Sequence, residues 1–309
     1  MPTNRRYVRV VRVLALALFA AAVTLPASSD TTPGSEASDI SASQAKGTTY
    51  ALRPTAGGRL LLDARVNGHP VEALLDSAAE ASLLDTEFAR QVGLLGGKDV
   101  TARGSGASTT KAQVFSGVTL EAFGLKLTNQ TVGVLDLADV GKRLFGRPLP
   151  FVLGREVFDH ARLQIDIEGL TARVVDASEQ PKGMRLPVQS SHGVPTIPVI
   201  LEGRPAQAAF DLGNGTRPLL GGKFADAAKM VTDGRPVQED VGGGIGGEVR
   251  RQVIALKSVE LAGKRFDDVV VAVDRIEHAH DFNVGISLLR HYRITTDFKE
   301  GAVWLEPRD

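Results

Sequence analysis

The sequence predicts a mostly β protein built from two similar lobes, and three observations carry that prediction. From residue 50 onward, short runs of valine, leucine and isoleucine are separated by glycine, asparagine and proline, a texture typical of all-β domains. Residues 59–66 and 70–75 flank Asn67-Gly68, which is a strong hairpin signal. The same order of features then recurs in the second half of the chain.

The bulk composition excludes several classes of function. The chain has 309 residues, of which 43% are hydrophobic, and this is enough for two ordinary globular domains. Lys plus Arg and Asp plus Glu number 36 each, so the net charge of zero gives no reason to expect nucleic acid as a partner. The absence of cysteine excludes disulfides, thiol nucleophiles and thiolate metal sites.

The N-terminus has the order of a secretory signal peptide. Four arginines between residues 5 and 12 precede an apolar run over 13–25, and small residues follow at 27–29. The run is shorter than the roughly 20 residues that a membrane-spanning helix needs. We therefore expect residues 1–27 to be a signal peptide and the protein to be exported, periplasmic or secreted, without stable membrane insertion. Residues 28–49 contain few large aliphatic side chains and are predicted to be a flexible linker.

A second copy of the first-half pattern lies about 135 residues further along the chain. Gly68 precedes Asp76 by eight residues, as Gly203 precedes Asp211, and both pairs differ by 135 (203−68 and 211−76). Phenylalanine, glycine and histidine residues elsewhere repeat at offsets between 131 and 136. An ordered series with so little drift indicates an internal duplication.

The duplication predicts two lobes related by a pseudo-twofold axis within a single chain. Such an arrangement would bring Asp76 and Asp211 together where the lobes meet, and the protein would be a monomer that acts as a pseudo-dimer. The predicted segments are a signal peptide over 1–27, a flexible linker over 28–49, an N-terminal lobe over 50–177, an inter-lobe connection over 178–194 and a C-terminal lobe over 195–309.

Asp76 and Asp211 each close an apolar run, which is an unusual place for a charge. A turn would explain either aspartate alone, because Asp commonly bonds its own backbone where a strand stops. Two carboxylates at hydrogen-bonding distance cannot both ionise cheaply, so they share a proton and offer an acid and a base together. A water held between them could attack an amide carbonyl. This chemistry needs neither a metal nor a cofactor.

At these residues the sequence resembles the retropepsin-like aspartic proteases, whose lobes each carry Asp-[Ser/Thr]-[Gly/Ala] and, later, two apolar residues followed by Gly. Residues 76–78 and 152–154 match both motifs in the first half. In the second half Leu212 replaces the usual hydroxyl residue, and Asn283 interrupts the apolar pair. The resemblance implies an acid-protease-like fold with a β-barrel lobe on each side of the aspartates.

The resemblance also implies roles for the residues beside each aspartate. The residues expected to support the pair are Ser77, Ala78, Gly213 and Asn214. The hydroxyl of Ser77 would bond across to the opposite motif, and Leu212 cannot return that bond, so half of the brace should be missing. Because an asparagine side chain can donate to a carboxylate, Asn214 leads us to expect that Asp211 is the more readily ionised aspartate.

Two glycine-rich stretches take the positions of flaps, the hairpins that close over substrate and limit water. The residues expected to contact substrate are Gly104, Ser105, Gly106, Gly243, Gly244, Ile245 and Gly246. The first stretch, over 103–108, is predicted to be the mobile tip of a long hairpin.

Two motifs that suggest cofactors have simpler explanations. Residues 242–247 satisfy GxGxxG, but the residues after them have a strand pattern where a dinucleotide site needs a helix. His278-Ala279-His280-Asp281 offers metal-ligating side chains, but no third ligand is near in sequence. We therefore expect neither a nucleotide nor a metal.

The sequence thus predicts an exported aspartic endopeptidase that acts on peptide or protein substrates through Asp76 and Asp211. Two alternatives stay open. The same fold could bind peptides or scaffold a complex without catalysis, and Leu212 and Asn283 favour this alternative because a fold does not by itself carry an activity. An active homodimer of first lobes, with a degenerate second lobe, is the other.

Overall fold

The computed structural model describes residues 22–23, 40–41 and 47–308. The predicted signal peptide and linker therefore lie largely outside the described residues. Within the described part the protein is mostly β with barrel-like sheets, which confirms the predicted all-β, acid-protease-like fold. None of its described helices has the length and apolar character needed to cross a membrane.

The first half of the described chain consists of strands joined by tight turns and short helices. The strands are β1 (Ala22–Val23), β2 (Ile40–Ser41), β3 (Thr49–Ala51), β4 (Arg53–Pro54), β5 (Leu60–Val66), β6 (His69–Leu75), β7 (Leu83–Asp85), β8 (Lys98–Arg103), β9 (Thr109–Ala122), β10 (Leu125–Leu135), β11 (Phe151–Leu153), β12 (Leu163–Asp166) and β13 (Thr171–Val174). The helices are α1 (Thr86–Gln91), α2 (Ala138–Phe145) and α3 (Glu156–His160).

The second half has the same texture. The strands are β14 (Met184–Pro187), β15 (Gln189–Ser191), β16 (Val194–Leu201), β17 (Arg204–Phe210), β18 (Leu219–Gly221), β19 (Gln238–Gly242), β20 (Val249–Leu261), β21 (Lys264–Asp274), β22 (Phe282–Val284), β23 (Tyr292–Asp297) and β24 (Ala302–Pro307). The helices are α4 (Gly222–Ala227) and α5 (Ile286–Leu289).

Each half forms a sheet with the same strand connectivity. In the first half β6 runs parallel to β11, β11 pairs antiparallel with β7, and β7 runs parallel to β10. In the second half β17, β22, β18 and β21 repeat this order with the same directions. Antiparallel pairs β8–β9–β10 and β19–β20–β21 complete the two sheets. This shared connectivity is the one that a duplication would produce.

A third sheet takes strands from both halves. Its order among the described strands is β14-β24-β23-β12-β13-β3. At its centre β12 pairs antiparallel with β23, so that Leu163 lies opposite Thr296 and Asp166 lies opposite Arg293. One apolar core extends through both halves beneath these sheets. The halves are therefore hydrogen-bonded into a continuous sheet that fixes one relative to the other.

Tight hairpins deliver the chain to the predicted site in both halves. Asn67 and Gly68 have positive φ angles of 49° and 80°, as a two-residue turn between twisted strands requires. Glu202 and Gly203 repeat this with φ angles of 48° and 78°. The predicted hairpin is thus confirmed, and the strand that follows it leads directly to Asp76.

Two predicted segments contain short strands. The linker over 28–49 includes Ile40–Ser41, which pairs with β10, and its last residue Thr49 begins β3. The inter-lobe connection over 178–194 contains β14 and β15. Proline suggested a break there, but Pro187 closes a strand at the edge of the six-stranded sheet, where a missing N–H costs little. The lobe boundaries themselves stay predictions.

The helices show what local pattern reveals and what it hides. Helix α1 begins at Thr86, after Asp85, whose side chain accepts from the Glu87 N–H and so caps the helix. The spacing of apolar residues in the sequence does not indicate helix α2. Its available signal was the i,i+4 pair of Asp139 and Arg143, in which Arg143 Nε donates to Asp139 Oδ2 at 2.8 Å.

Candidate active site

Asp76 and Asp211 lie at equivalent places, directly after β6 and β17. The Asp76 N–H donates to Leu153 O at 3.0 Å, and the Asp211 N–H donates to Val284 O at 3.0 Å. Both acceptors belong to the parallel strand alongside, β11 in the first half and β22 in the second. Each aspartate therefore leaves its strand at a point that the neighbouring strand fixes.

The two aspartate loops pack against each other. Ser77 Oγ donates to Phe210 O at 2.8 Å and accepts from the Leu212 N–H at 3.0 Å. A Cβ added to Gly213 would collide with the Asp76 carboxyl group, so only glycine allows this approach. Ser77 thus braces the opposite loop as the resemblance implies, while the buried Leu212 side chain belongs to the apolar core and has no hydroxyl to return the bond.

The Asp76 carboxylate is held by backbone donors. Its Oδ1 accepts from the Ala78 N–H at 2.9 Å and from the Ala79 N–H at 3.1 Å. The side chain is buried, with the residue only 2% exposed. Burial raises the pKa of Asp76 to about 6, against the opposing effect of these two N–H groups and of the Arg59 charge.

The Asp211 carboxylate has a side-chain donor as well. Its Oδ1 accepts from the Asn214 N–H at 2.9 Å, and its Oδ2 accepts from Asn283 Nδ2 at 2.7 Å. Asn283 Oδ1 in turn accepts from Asn214 Nδ2 at 2.6 Å, so the two amides form a chain that ends on the carboxylate. Burial first, and then the charge of Asp76, raise the pKa of Asp211 well above its usual value.

The expectation that Asp211 is the more readily ionised aspartate rests on a bond from the Asn214 amide to the carboxylate, and that bond is absent. The Asn214 side chain donates to Asn283 and to Arg217 O, and it does not donate to the carboxylate. The charge of Asp76 also disfavours a second negative charge on Asp211. Because this repulsion acts equally on both carboxylates, the pKa values of both aspartates are raised and the pair shares a proton.

Asn283 is a site residue that pattern matching misread. It looks like a defect in an apolar motif, yet its buried amide is the group that contacts Asp211. The signal was present in the sequence, since a polar residue between two buried apolar neighbours in a short strand needs a partner.

The two predicted flap tips lie between β8 and β9 and between β19 and β20, and they meet each other. The Gly106 N–H donates to Ile245 O at 2.8 Å, and the Ser108 N–H donates to Gly246 O at 3.0 Å. The Ile245 side chain packs in an apolar cluster that includes Ala79, close to Asp76 in sequence. Residues 104–106 of the first tip are buried, while Arg103, Ala107 and Ser108 are exposed, and the mobility expected of this tip stays a prediction.

Arginine side chains from each half hold the flap of the other. Arg143 on α2 donates to Gly243 O at 3.1 Å and to Gly244 O at 2.9 Å. Arg251 on β20 donates to Ser105 O at 2.9 Å. In the structure with both flaps held in this way, Asp211 is 0% exposed and Asp76 is 2% exposed.

The structure shows where the two motifs that suggested cofactors lie, the glycine-rich stretch over 242–247 and the histidines near residue 280. Residues 242–247 turn between antiparallel strands β19 and β20. His278 lies beside His192, with ring centres 5.3 Å apart, and His280 is near both. In the part of the chain that the structure describes, no group of three or more His, Asp or Glu side chains is arranged to hold a metal ion.

Comparison with known proteins bears on the first half of the chain. The family model described as aspartyl protease matches residues 62–157. The matched residues include the Asp76 loop, the first flap and the apolar run at 152–154, and they end before Asp211. No curated protein matches the chain. The resemblance to the retropepsin-like aspartic proteases is therefore confirmed over this part of the chain, and it supports general aspartic protease activity.

Proposed function

We propose that the protein is an aspartic endopeptidase in which Asp76 and Asp211 activate one water molecule. The observation that carries the proposal is a pair of buried carboxylates, both with raised pKa values, where two equivalent loops meet. The pKa of Asp76 is about 6 and that of Asp211 is raised well above its usual value by burial and by Asp76. Between the two pKa values Asp76 is a base while Asp211 is an acid.

The hydrolytic step follows from these protonation states. Asp76 takes a proton from the water as the water oxygen attacks the peptide carbonyl carbon, and Asp211 donates its proton to the carbonyl oxygen. The tetrahedral intermediate then collapses, the C–N bond breaks, and the proton held by Asp76 passes to the leaving amine. The products are a carboxylic acid and an amine, and Asp211 recovers its proton from the intermediate. Closed flaps limit competing water during these steps.

The pH dependence of the reaction has a defined sign. The two aspartates titrate as a pair with two macroscopic pKa values, because each charge affects the other. Activity rises as pH increases through about 6, where Asp76 loses its proton. Activity falls again at the higher pH at which Asp211 deprotonates. A rate that only declined as pH rose from acidic values would contradict this assignment.

Hydrolysis of a mixed peptide library tests the proposal. Wild type is compared with Asp76→Asn and Asp211→Asn, two substitutions that preserve side-chain shape, with circular dichroism confirming that all three fold. We expect each variant to lose about 10³-fold or more in kcat/KM. Full activity in Asp211→Asn would exclude a pair shared between the halves.

A second candidate function is peptide binding without hydrolysis. It is favoured by the one-sided brace, since the Leu212 side chain lies in the apolar core and has no hydroxyl to reach the Asp76 loop as Ser77 reaches the opposite one. If the wild-type protein cleaves no peptide from acidic to alkaline pH but retains peptides from the same library, this candidate replaces the enzyme.

The proposed enzyme acts as a single-chain monomer. Support comes from the sheet that β12 and β23 share, because the second half occupies the place that a partner lobe would take in a homodimer. The halves correspond to the lobes predicted over 50–177 and 195–309. Light scattering should give the mass of one chain, and the mass of two chains would favour the homodimer of first lobes.

We also propose that the protein is exported. The support is the order of basic, apolar and small residues over 1–27, which lies almost wholly outside the described residues. N-terminal sequencing of the protein recovered from outside the cytoplasm should show that this segment has been removed. Recovery of the intact N-terminus in the cytoplasm would contradict export.

A further inference from the structure

Arg59 is a buried arginine beside the aspartate pair that the proposed reaction does not use. The residue is 1% exposed, and its Nε donates to Gly213 O at 3.0 Å. Its guanidinium carbon lies 5.8 Å from the centre of the Phe145 ring. Its Nη2 is buried without a hydrogen-bond partner among the described residues. A buried donor of this kind costs free energy unless something binds it, so the site needs an acceptor.

The charge of Arg59 also lacks a dedicated partner. Burial lowers the pKa of Arg59 to about 10, which leaves the side chain positively charged at neutral pH. The acids that oppose this shift are the aspartate pair, Asp211 and Asp76. Among the described residues no carboxylate forms an ion pair with Arg59. A buried cation without its own anion is rare in proteins and favours a negatively charged ligand.

Arg59 lines a groove of about 930 Å³ that begins at the second aspartate loop. The groove includes residues 215–218, which start four positions after Asp211. Its charged lining residues are Arg59, Arg143, Arg217, Arg290 and Asp267. The acid partners of the last three arginines are, in that order, Asp139, Asp240 and Glu168. The groove is thus rich in arginine, and Arg59 is the member of this set without an acid.

The duplicated pattern shows where an acid is missing. Glu80 lies 135 positions before Gly215 (215−80), so the first loop has a carboxylate at the place where the second has glycine. A Cβ on Gly215 would collide with the Gly57 carbonyl and would come within 2.6 Å of Arg59 Cγ. The backbone packing therefore excludes any side chain here, and the chain cannot supply an acid from this position.

We propose that Arg59 binds a carboxylate group of the substrate in this groove, through a charge-assisted hydrogen bond from Nη2. The inference rests on the proposed function and names its substrate class, which is peptides with an acidic side chain or a free C-terminal carboxylate near the scissile bond. Leu144 lines the groove and Phe145 covers the guanidinium at the end of α2. Because Arg143 ties the same helix to the second flap, opening of that flap can uncover Arg59.

Matched peptide pools test the proposal. Two pools are N-acetylated and C-terminally amidated and differ only in that every Glu of the first is Gln in the second. A third pool has Gln throughout and a free C-terminal carboxylate. We expect wild type to prefer either the Glu pool or the free-carboxylate pool over the amidated Gln pool by about tenfold or more in kcat/KM. The preferred pool identifies the source of the carboxylate.

The variants separate recognition from a structural role. The preference ratio is the kcat/KM for the preferred carboxylate pool divided by that for the amidated Gln pool. In Arg59→Gln this ratio should fall to about one, because a neutral amide cannot form the charge-assisted hydrogen bonds of a guanidinium group. The ratio comes from one preparation, so it does not depend on the fraction of folded protein. Arg217→Gln is the matched control in the same groove, and it should retain the preference because Arg217 already has Asp240 as its partner. A wild-type ratio near one, or an unchanged ratio in Arg59→Gln, would overturn the proposal.

A binding measurement keeps this inference separate from the proposed function. If wild type cleaves no peptide at all, fluorescently labelled forms of the same pools are titrated with the protein and followed by anisotropy. Tighter binding of a carboxylate-bearing pool by wild type, lost in Arg59→Gln, supports the carboxylate site although the endopeptidase proposal has failed. Equal binding of all pools, or no binding, overturns the carboxylate site.

Discussion

The two aspartate loops follow equivalent strands, but different side chains support them. Asp76 is held by two backbone N–H groups, and its neighbour Ser77 reaches across to the opposite loop. Asp211 is held by backbone donors, among them the Asn214 N–H, and by the amide of Asn283. The first loop thus supplies the hydroxyl group that braces the opposite loop, and the second supplies the side-chain network around its own carboxylate.

This difference teaches that equivalent strands need not carry equivalent chemistry. The same connectivity places both carboxylates, since each aspartate N–H bonds a carbonyl of the parallel strand alongside. The side chains then differ: Ser77 in the first half braces the opposite loop, and Asn283 in the second half donates to the Asp211 carboxylate. A pair with identical surroundings would have no preferred site for its single proton, whereas here the two carboxylates have different hydrogen-bond donors.

Among changes to the groups that support the two aspartates, removing the brace should have the largest effect. Ser77→Ala leaves Phe210 O and the Leu212 N–H buried without their partner, and we expect a loss of about 2–4 kcal/mol in the free energy of unfolding. The kcat/KM for peptide hydrolysis should fall about tenfold to a hundredfold, because the loops then hold the carboxylates less rigidly. Chemical denaturation and steady-state kinetics measure the two effects.

Ser77→Thr is the matched control for this prediction, because it retains the hydroxyl group. It should remain near wild type in both measurements. If the alanine variant proves as stable and as active as the threonine variant, the brace is not what joins the loops.

A substitution in the side-chain network around Asp211 should have a smaller effect, and this effect should be confined to the pH dependence of activity. Asn283→Leu removes a donor that favours the ionised carboxylate, so the pKa of Asp211 rises further. The alkaline limb of the activity profile should move up by about one pH unit, while the acidic limb near Asp76 moves less. Asn214→Ala is the comparison, because its amide contacts Asn283 and not the carboxylate. An equal shift in both variants would contradict the direct role of Asn283.

The smallest expected effect concerns thermal stability. Asp211 has a raised pKa in the folded state, so its contribution to stability is fully present below the pKa of the unfolded chain and is lost as pH rises through the folded value. Asp211→Asn removes this dependence. We expect the Tm of the variant to exceed that of wild type by an amount that grows with pH. Each kcal/mol regained in the free energy of unfolding should raise the Tm by about 2–4 °C. A difference that shrinks as pH rises would contradict the raised pKa.

Sequence patterns could predict the parts of the site that local chemistry determines. The hairpin at Asn67, the strand ends at both aspartates and the two flap hairpins follow from turn residues and alternation. The expected bond from Asn214 to Asp211 is absent because it depends on where the Asn214 amide points, and that direction is set by Asn283, 69 residues away. Arg59 escaped notice for the same reason, since its contact with Gly213 spans 154 residues.

The interlocked flaps have a consequence for any measured affinity. Bonds between the two tips, and those from Arg143 and Arg251, stabilise the closed conformation by about 0.5–1.5 kcal/mol each. A ligand that enters only when the flaps are open therefore shows an apparent Kd weaker than its intrinsic Kd by the fraction of open molecules. A substitution that removes one of these hydrogen bonds would then raise the fraction of open molecules and strengthen the apparent binding. The contacts that close the flaps therefore limit the affinity of the cleft for its ligands.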